Sequence, residues 1–245
     1  PFVQLRSYVA DYHRVHDFET LGLEEDFRVG HEAVVRLYPA TRQVASTRDM
    51  LGTHAALGYG VRLGSGIARA IAASTIEKST RAATDATFQL SARLVTPRVG
   101  FGRFVYDGLL VNHYENYLNE RLTVGGDGRL RGYAPQAFIG KDVVASNLEF
   151  RTRPVQIWSV QVGGAAFYDA ADAFDGISDL RLKHAVGVGL RTVFPQAERT
   201  VFRADYGVPV TSSGLVFPGA LFIAFGQAFG MPSIPAPSLE TEYGD

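Results

Sequence analysis

The 245-residue chain is 46% hydrophobic and 20% charged, with a net charge of −1. That length suits one sizeable domain, and the near-zero charge, with no basic run, argues against nucleic acid as a partner. Cysteine is absent, which excludes a disulfide framework, a thiolate metal site and a cysteine nucleophile. The chain opens Pro1-Phe2-Val3-Gln4 without a charged-then-apolar leader, so it reads as a mature product or a fragment.

From there on, period two dominates. In 86–94 one face is Ala86, Phe88, Leu90, Ala92 and Leu94, and the other is Thr87, Gln89, Ser91 and Arg93. In 144–153, Val144, Leu148 and Phe150 oppose Asn147, Glu149, Arg151 and Arg153. In 186–194, Val186, Val188, Leu190 and Phe194 oppose Gly187, Gly189 and Arg191; in 200–208, Phe202, Ala204, Tyr206 and Val208 oppose Arg203, Asp205 and Gly207. Alternation of this length is a strand signature. The predicted segments are 2–16, 26–38, 53–63, 66–78, 84–96, 101–115, 142–153, 158–170, 183–194, 199–209 and 219–229, separated by turn residues such as Leu63-Gly64-Ser65-Gly66 and Pro97-Arg98-Val99-Gly100. The longest apolar window, 215–231, contains Pro218, Gly219, Gly226 and Gln227 and reads as a hairpin end plus one strand, not a helix.

A β-sandwich and a membrane barrel both give one apolar face per strand. Three features favour the barrel. The segments are long. Their polar faces carry opposite charges close together (Glu149 with Arg151, Arg203 with Asp205). Aromatic residues recur near segment ends, at Tyr38, Tyr106, Tyr114, Tyr117, Phe194 and Phe229. The fold expected is therefore all-β, a transmembrane antiparallel β-barrel over 1–229 with about eleven or twelve strands, followed by a flexible acidic tail over 230–245. The one long connection, 116–141, is of the length that is usually functional.

That connection holds Gly125-Gly126-Asp127-Gly128-Arg129-Leu130-Arg131-Gly132-Tyr133. Downstream, alternation places Phe167 and Asp169 on one face of their strand, with Val160, Val162, Ala166 and Tyr168 on the other. A carboxylate on the polar face is a natural partner for a guanidinium delivered by a loop, and Arg forms a bidentate bond that Lys cannot. Arg131 is thus the candidate centre, with Asp169 as its acceptor and Glu149 as a second. Gly132 would let the loop backbone pass close to the wall, and Tyr133 would pack beside it.

The order of Leu130-Arg131-Gly132-Tyr133, Asn147-Leu148-Glu149-Phe150-Arg151, Phe167-Tyr168-Asp169-Ala170-Ala171, Gly187-Val188-Gly189-Leu190-Arg191, Phe202-Arg203-Ala204-Asp205-Tyr206-Gly207 and 222–229 resembles the C-terminal barrel portion of the BamA/TamA superfamily (bacterial surface antigen family). The resemblance implies part of a sixteen-stranded barrel in the outer membrane of a Gram-negative bacterium. It also implies a lumen-directed loop locked by Arg131, and a C-terminal insertion signal at Phe225, Gly226 and Phe229. The implied function is insertion or translocation of outer-membrane or secreted polypeptides, with outer-membrane lipids, unfolded polypeptides and other envelope subunits as partners. A non-catalytic barrel that anchors partner subunits is the alternative.

No enzymatic activity, cofactor or metal is expected. The chain lacks a P-loop, a His-Glu-x-x-His and a Gly-x-Ser-x-Gly. His13 and His16 would point to opposite strand faces, and His113 with Glu115 reads as a polar pair on one face. Trp158 reads as an interface anchor.

Overall fold

The computed structural model describes residues 1–235 apart from 45, 47, 48, 80–83, 128 and 197. Strands form wherever the alternation is sustained. β1 (Val3–Tyr8) and β2 (Asp11–His16) lie end to end along one side of β3 (Glu24–Ala40). β4 (Met50–Leu63), β5 (Gly66–Ser79), β6 (Thr84–Val95) and β7 (Gly102–Asn116) follow as antiparallel neighbours. The long connection carries its own small hairpin, β8 (Leu122–Val124) with β9 (Phe138–Gly140). β10 (Asp142–Thr152) then returns beside β7, and β11 (Val155–Ile157) turns back on the start of β12 (Val160–Phe174). β13 (Lys183–Phe194) and β14 (Glu198–Thr211) continue the meander, and β15 (Gly214–Leu215) and β16 (Ala220–Phe225) line the far side of β14.

The expected closed transmembrane barrel is not what forms. The hydrogen-bonded order begins at β1 and β2 and ends at β15 and β16, and among the described residues no rung joins those two margins. The architecture is an extended antiparallel sheet, open at both margins, that curls over itself in the manner of a sandwich. The β2–β3 turn reaches across the concave side: Leu21 packs with Val193 of β13 and Val201 of β14, and Phe18 O accepts from Arg151 Nη1 of β10 at 2.9 Å. Alternation reports only that each ribbon has one apolar face. Closure depends on hydrogen bonds between the first and last ribbons, and the period carries no information about those.

The sheet buries its charged face. On β10, Val143, Ala145, Asn147, Glu149 and Arg151 point inward and are buried, whereas Leu148 is exposed; on β12, Phe167 and Asp169 point inward and Tyr168 outward. The loop between β7 and β10 enters the concave side, and the chain after β16 does the same, its Phe229 being 5% exposed. Leu130 from the loop is wholly buried in a cluster with Val124, Val143, Ala145, Ala171, Ala173 and Ala185. A second cluster joins Val15, Phe18, Val29, Ile67, Val95 and Val105, with Met231 of the returning chain packed on it.

Three departures from the sequence reading have a local reason. Segment 2–16 is interrupted at Val9, which lies against Gly30; Gly30 has φ +86°, and a Cβ there would stand 2.9 Å from Val9 Cβ. Trp158, where segment 158–170 was expected to begin, instead occupies the tip of the β11–β12 hairpin with φ +54° and is 94% exposed. Segment 219–229 stops being a strand at Phe225, because Gly226 (φ +84°) turns the chain inward. Of the tail expected over 230–245, residues 236–245 lie outside the described residues. Among the described residues no helix is long and apolar enough to cross a membrane.

Candidate functional site

The interior is organised around Arg131. Leu130 fixes the loop by burial, and Gly132 (φ +103°) turns the backbone in a conformation that a Cβ would strain. The turn brings the loop main chain against β14: a Cβ on Gly207 would lie 2.7 Å from Gly132 N. Tyr133 follows, donating its hydroxyl to His184 O at 3.2 Å and packing edge-on to Phe138 at 5.3 Å. Burial raises the Tyr133 hydroxyl pKa, opposed by that hydrogen bond.

Arg131 and Asp169 are both 0% exposed. Arg131 Nε donates to Asp169 Oδ2 at 2.8 Å and Nη2 to Oδ1 at 2.8 Å, a bidentate fork, and the backbone N adds a third bond to Oδ2 at 3.1 Å. Nη1 serves Glu149 Oε1 at 2.5 Å and Asp205 Oδ2 at 3.1 Å. The guanidinium plane stacks on the Phe167 ring at 3.6 Å from its centroid. Asn147 Nδ2 bridges Asp169 Oδ1 and Arg129 O, each at 2.8 Å.

The neighbouring strands complete the balance. Arg151 Nε bonds Glu149 Oε2 at 2.7 Å, and Arg203 Nη1 bonds Asp205 Oδ2 at 2.9 Å. Arg191 pairs with the other oxygen of Asp205, and Arg203 reaches Asp127 of the loop. Four guanidinium groups (Arg131, Arg151, Arg191, Arg203) thus face four carboxylates (Asp127, Glu149, Asp169, Asp205). Burial alone would lower the pKa of Arg131, but the Asp169 hydrogen bond and the charges of Glu149, Asp169 and Asp205 outweigh it and raise it. Burial would raise Glu149, yet Arg151, Arg131 and Arg191 hold it well below the usual carboxylate range. These ion pairs tie the loop backbone to β10, β12, β13 and β14.

Sequence reasoning named Arg131, Gly132, Tyr133, Asp169 and Glu149, and the structure brings these five to one place. It missed that Asp205 and Arg191 belong to the same cluster; their positions on the polar faces of β13 and β14 were the available signal. Phe225, Gly226 and Phe229 do not act as one unit. Phe225 is exposed at the end of β16, whereas Phe229 lies beneath the guanidinium groups of Arg129 and Arg131 at 5.2 and 5.4 Å, its carbonyl accepting from Arg93 Nη1 at 2.6 Å. His113 is drawn inward, away from the exposed Glu115. Its backbone N donates to Asp142 Oδ1 at 2.8 Å, and its Nε2 lies 3.4 Å from Glu120.

No protein-family model matches the chain, and no curated protein does either. The BamA/TamA resemblance is thereby overturned as an identification. Each of the blocks is short, and their order alone did not carry the family. The insertion or translocation function, the anchoring alternative, the Gram-negative outer-membrane location, and the lipid and envelope-subunit partners all rested on that identification and on a closed barrel. They fall with it.

The carboxylates set the acid limit of the fold. Burial pushes Glu32 on β3 up, but hydrogen bonds from Arg28, Arg6 and Arg69, together with the Arg28 charge, hold it down at about 2. Its folded pKa lies below its unfolded value of about 4.3. The stability it contributes is therefore complete above about pH 4.3 and is lost as pH falls towards about 2. Glu149, shifted the same way, adds to the loss at the acid end. Denaturant midpoints should be level at neutral pH and fall through this window, and Glu32→Gln should make the fall shallower.

Proposed function

We propose that the protein is a non-catalytic binding module that takes an extended polypeptide segment by strand addition at the free side of β16. The observation that carries this reading is the chemistry of that margin. Among the described residues β16 pairs with β14 on one side and with no strand on the other. Its sequence, Ala220-Leu221-Phe222-Ile223-Ala224-Phe225, contains no charge and no proline, the features that usually defend a sheet edge against pairing.

Leu221, Ile223 and Phe225 point to the convex side and are 62%, 63% and 76% exposed. They continue an apolar surface that runs through Tyr206, Leu190, Val188 and Tyr168 on β14, β13 and β12. Exposed apolar surface of this extent marks an interaction site. An arriving strand would satisfy the unpaired backbone groups of β16, and its alternate apolar side chains would cover Leu221, Ile223 and Phe225. The Arg131 cluster supports the same reading by fixing β10, β12, β13 and β14 into a rigid platform behind the edge.

The test is fluorescence anisotropy with a labelled eight-residue peptide of alternating valine and threonine. Wild type should bind it, and Leu221→Lys/Ile223→Lys should weaken binding at least about tenfold without altering thermal stability, since both positions are exposed. Absence of binding, or undiminished binding by the double variant, would refute the proposal. A concentration-dependent dimer abolished by the same substitutions would instead assign the edge to a second copy of this chain.

A further inference from the structure

At the end of the sheet away from the Arg131 loop, Arg151 and Arg191 of that cluster meet three further guanidinium groups. A cavity of ≈ 20 Å³ lies between the β2–β3 turn and the ends of β7, β10 and β13, with Asp17, Arg98, Arg103, Arg151, Arg153 and Arg191 in its wall. Five cations face one carboxylate there. Asp17 is already engaged, by Arg98 Nη2 at 2.5 Å and by Gly22 N at 2.5 Å. Arg151 and Arg191 are neutralised from the other side by Glu149 and Asp205.

Arg103 is different. It is 6% exposed, stacks on Phe18 at 4.7 Å, and forms no ion pair among the described residues. Burial lowers its pKa; Arg98 and Arg151 act in the same direction, while Asp17 and Glu25 oppose them.

The donors in this wall are also unmet. Arg103 Nη1, Arg151 Nη2 and Arg191 Nε are buried without a hydrogen-bond partner, although buried donors are almost always satisfied. Gln227 also lines the cavity, and its Oε1 has no hydrogen-bond partner. Its O and N positions are interchangeable by rotation, and turned over it adds an N–H. About 10–15 Å³, roughly the volume of one water-sized sphere, suffices for one water-sized occupant. The cavity therefore admits a monatomic ion. Water would supply acceptors but no charge.

We infer that this cavity is a halide site, in which one chloride-class anion is held by Arg103, Arg151 and Arg191. The ion would tie the β2–β3 turn, through Asp17 and Phe18, to the ends of β7, β10 and β13.

The experiment is thermal unfolding of the full chain in sodium chloride, sodium bromide and sodium gluconate at equal ionic strength. Wild type should gain on the order of 3 °C, saturably, in either halide relative to gluconate, whose anion is too large to enter. Arg103→Met should lose that increment and remain at least as stable as wild type in gluconate, because the unbalanced charge is gone. Equal melting temperatures of wild type in chloride and gluconate, or an undiminished increment in Arg103→Met, would overturn the inference. Should the variant not fold, ³⁵Cl line broadening by wild type decides the matter: broadening relieved by bromide supports the site, and its absence refutes it.

Discussion

Arg131→Met is expected to destabilise the fold by about 3–5 kcal/mol, the range for removing one partner of a buried ion pair. The loss falls unevenly. Glu149 keeps Arg151 at 2.7 Å, and Asp205 keeps Arg203 at 2.9 Å. Among the described residues Asp169 keeps only Asn147 Nδ2 and the backbone N of residue 131, and it remains wholly buried. An unneutralised carboxylate at that depth is the main penalty. Arg131→Lys should be little better, because one ammonium cannot supply the fork to Asp169 while also reaching Glu149 and Asp205.

Adding Asp169→Asn to Arg131→Met removes the orphaned charge and should recover part of the stability, a coupling on the order of 2 kcal/mol. Chemical denaturation of the four proteins of this cycle measures it. Amides of the β8–β9 hairpin should lose exchange protection in Arg131→Met. A single variant within about 1 kcal/mol of wild type would show that the cluster does not hold the loop.

How far the sequence discloses this arrangement depends on the range of the interaction. Segments 84–96 and 183–194 fall within a residue of Thr84–Val95 and Lys183–Phe194, because alternation is a local property that each ribbon carries whole. The charged faces of β10, β12 and β14 could be read in the same way, and a glycine-rich loop with one arginine identified what would be delivered to them. What escaped were features set at long range. Gly226 signals that the strand ends, but nothing local says that Phe229 should settle beneath Arg129 and Arg131, more than ninety residues earlier in the chain. Arg103 reads as one more polar-face residue until Phe18 and Arg98 are placed around it. Closure, the property on which the barrel reading depended, is a relation between the two margins, and their sequences match equally well with neighbours or with nothing.

Gly207→Val should have an effect as large as Arg131→Met, although it removes no charge. A Cβ at 207 would lie 2.7 Å from Gly132 N and 2.8 Å from the Arg131 carbonyl carbon. Both are backbone atoms, which cannot swing aside as a flexible side chain would. The loop must therefore lift from β14, and lifting it withdraws the guanidinium from Asp169. Overpacking alone costs about 1–3 kcal/mol, and losing the Arg131 contacts brings the total to about 3–5 kcal/mol.

The decisive measurement is the combination of Gly207→Val with Arg131→Met. If the small residue acts by admitting the loop, the second substitution has little left to remove, and the double variant should be only slightly less stable than either single one. Full additivity would mean that Gly207 serves the strand for some reason of its own and that loop docking does not require the close backbone approach.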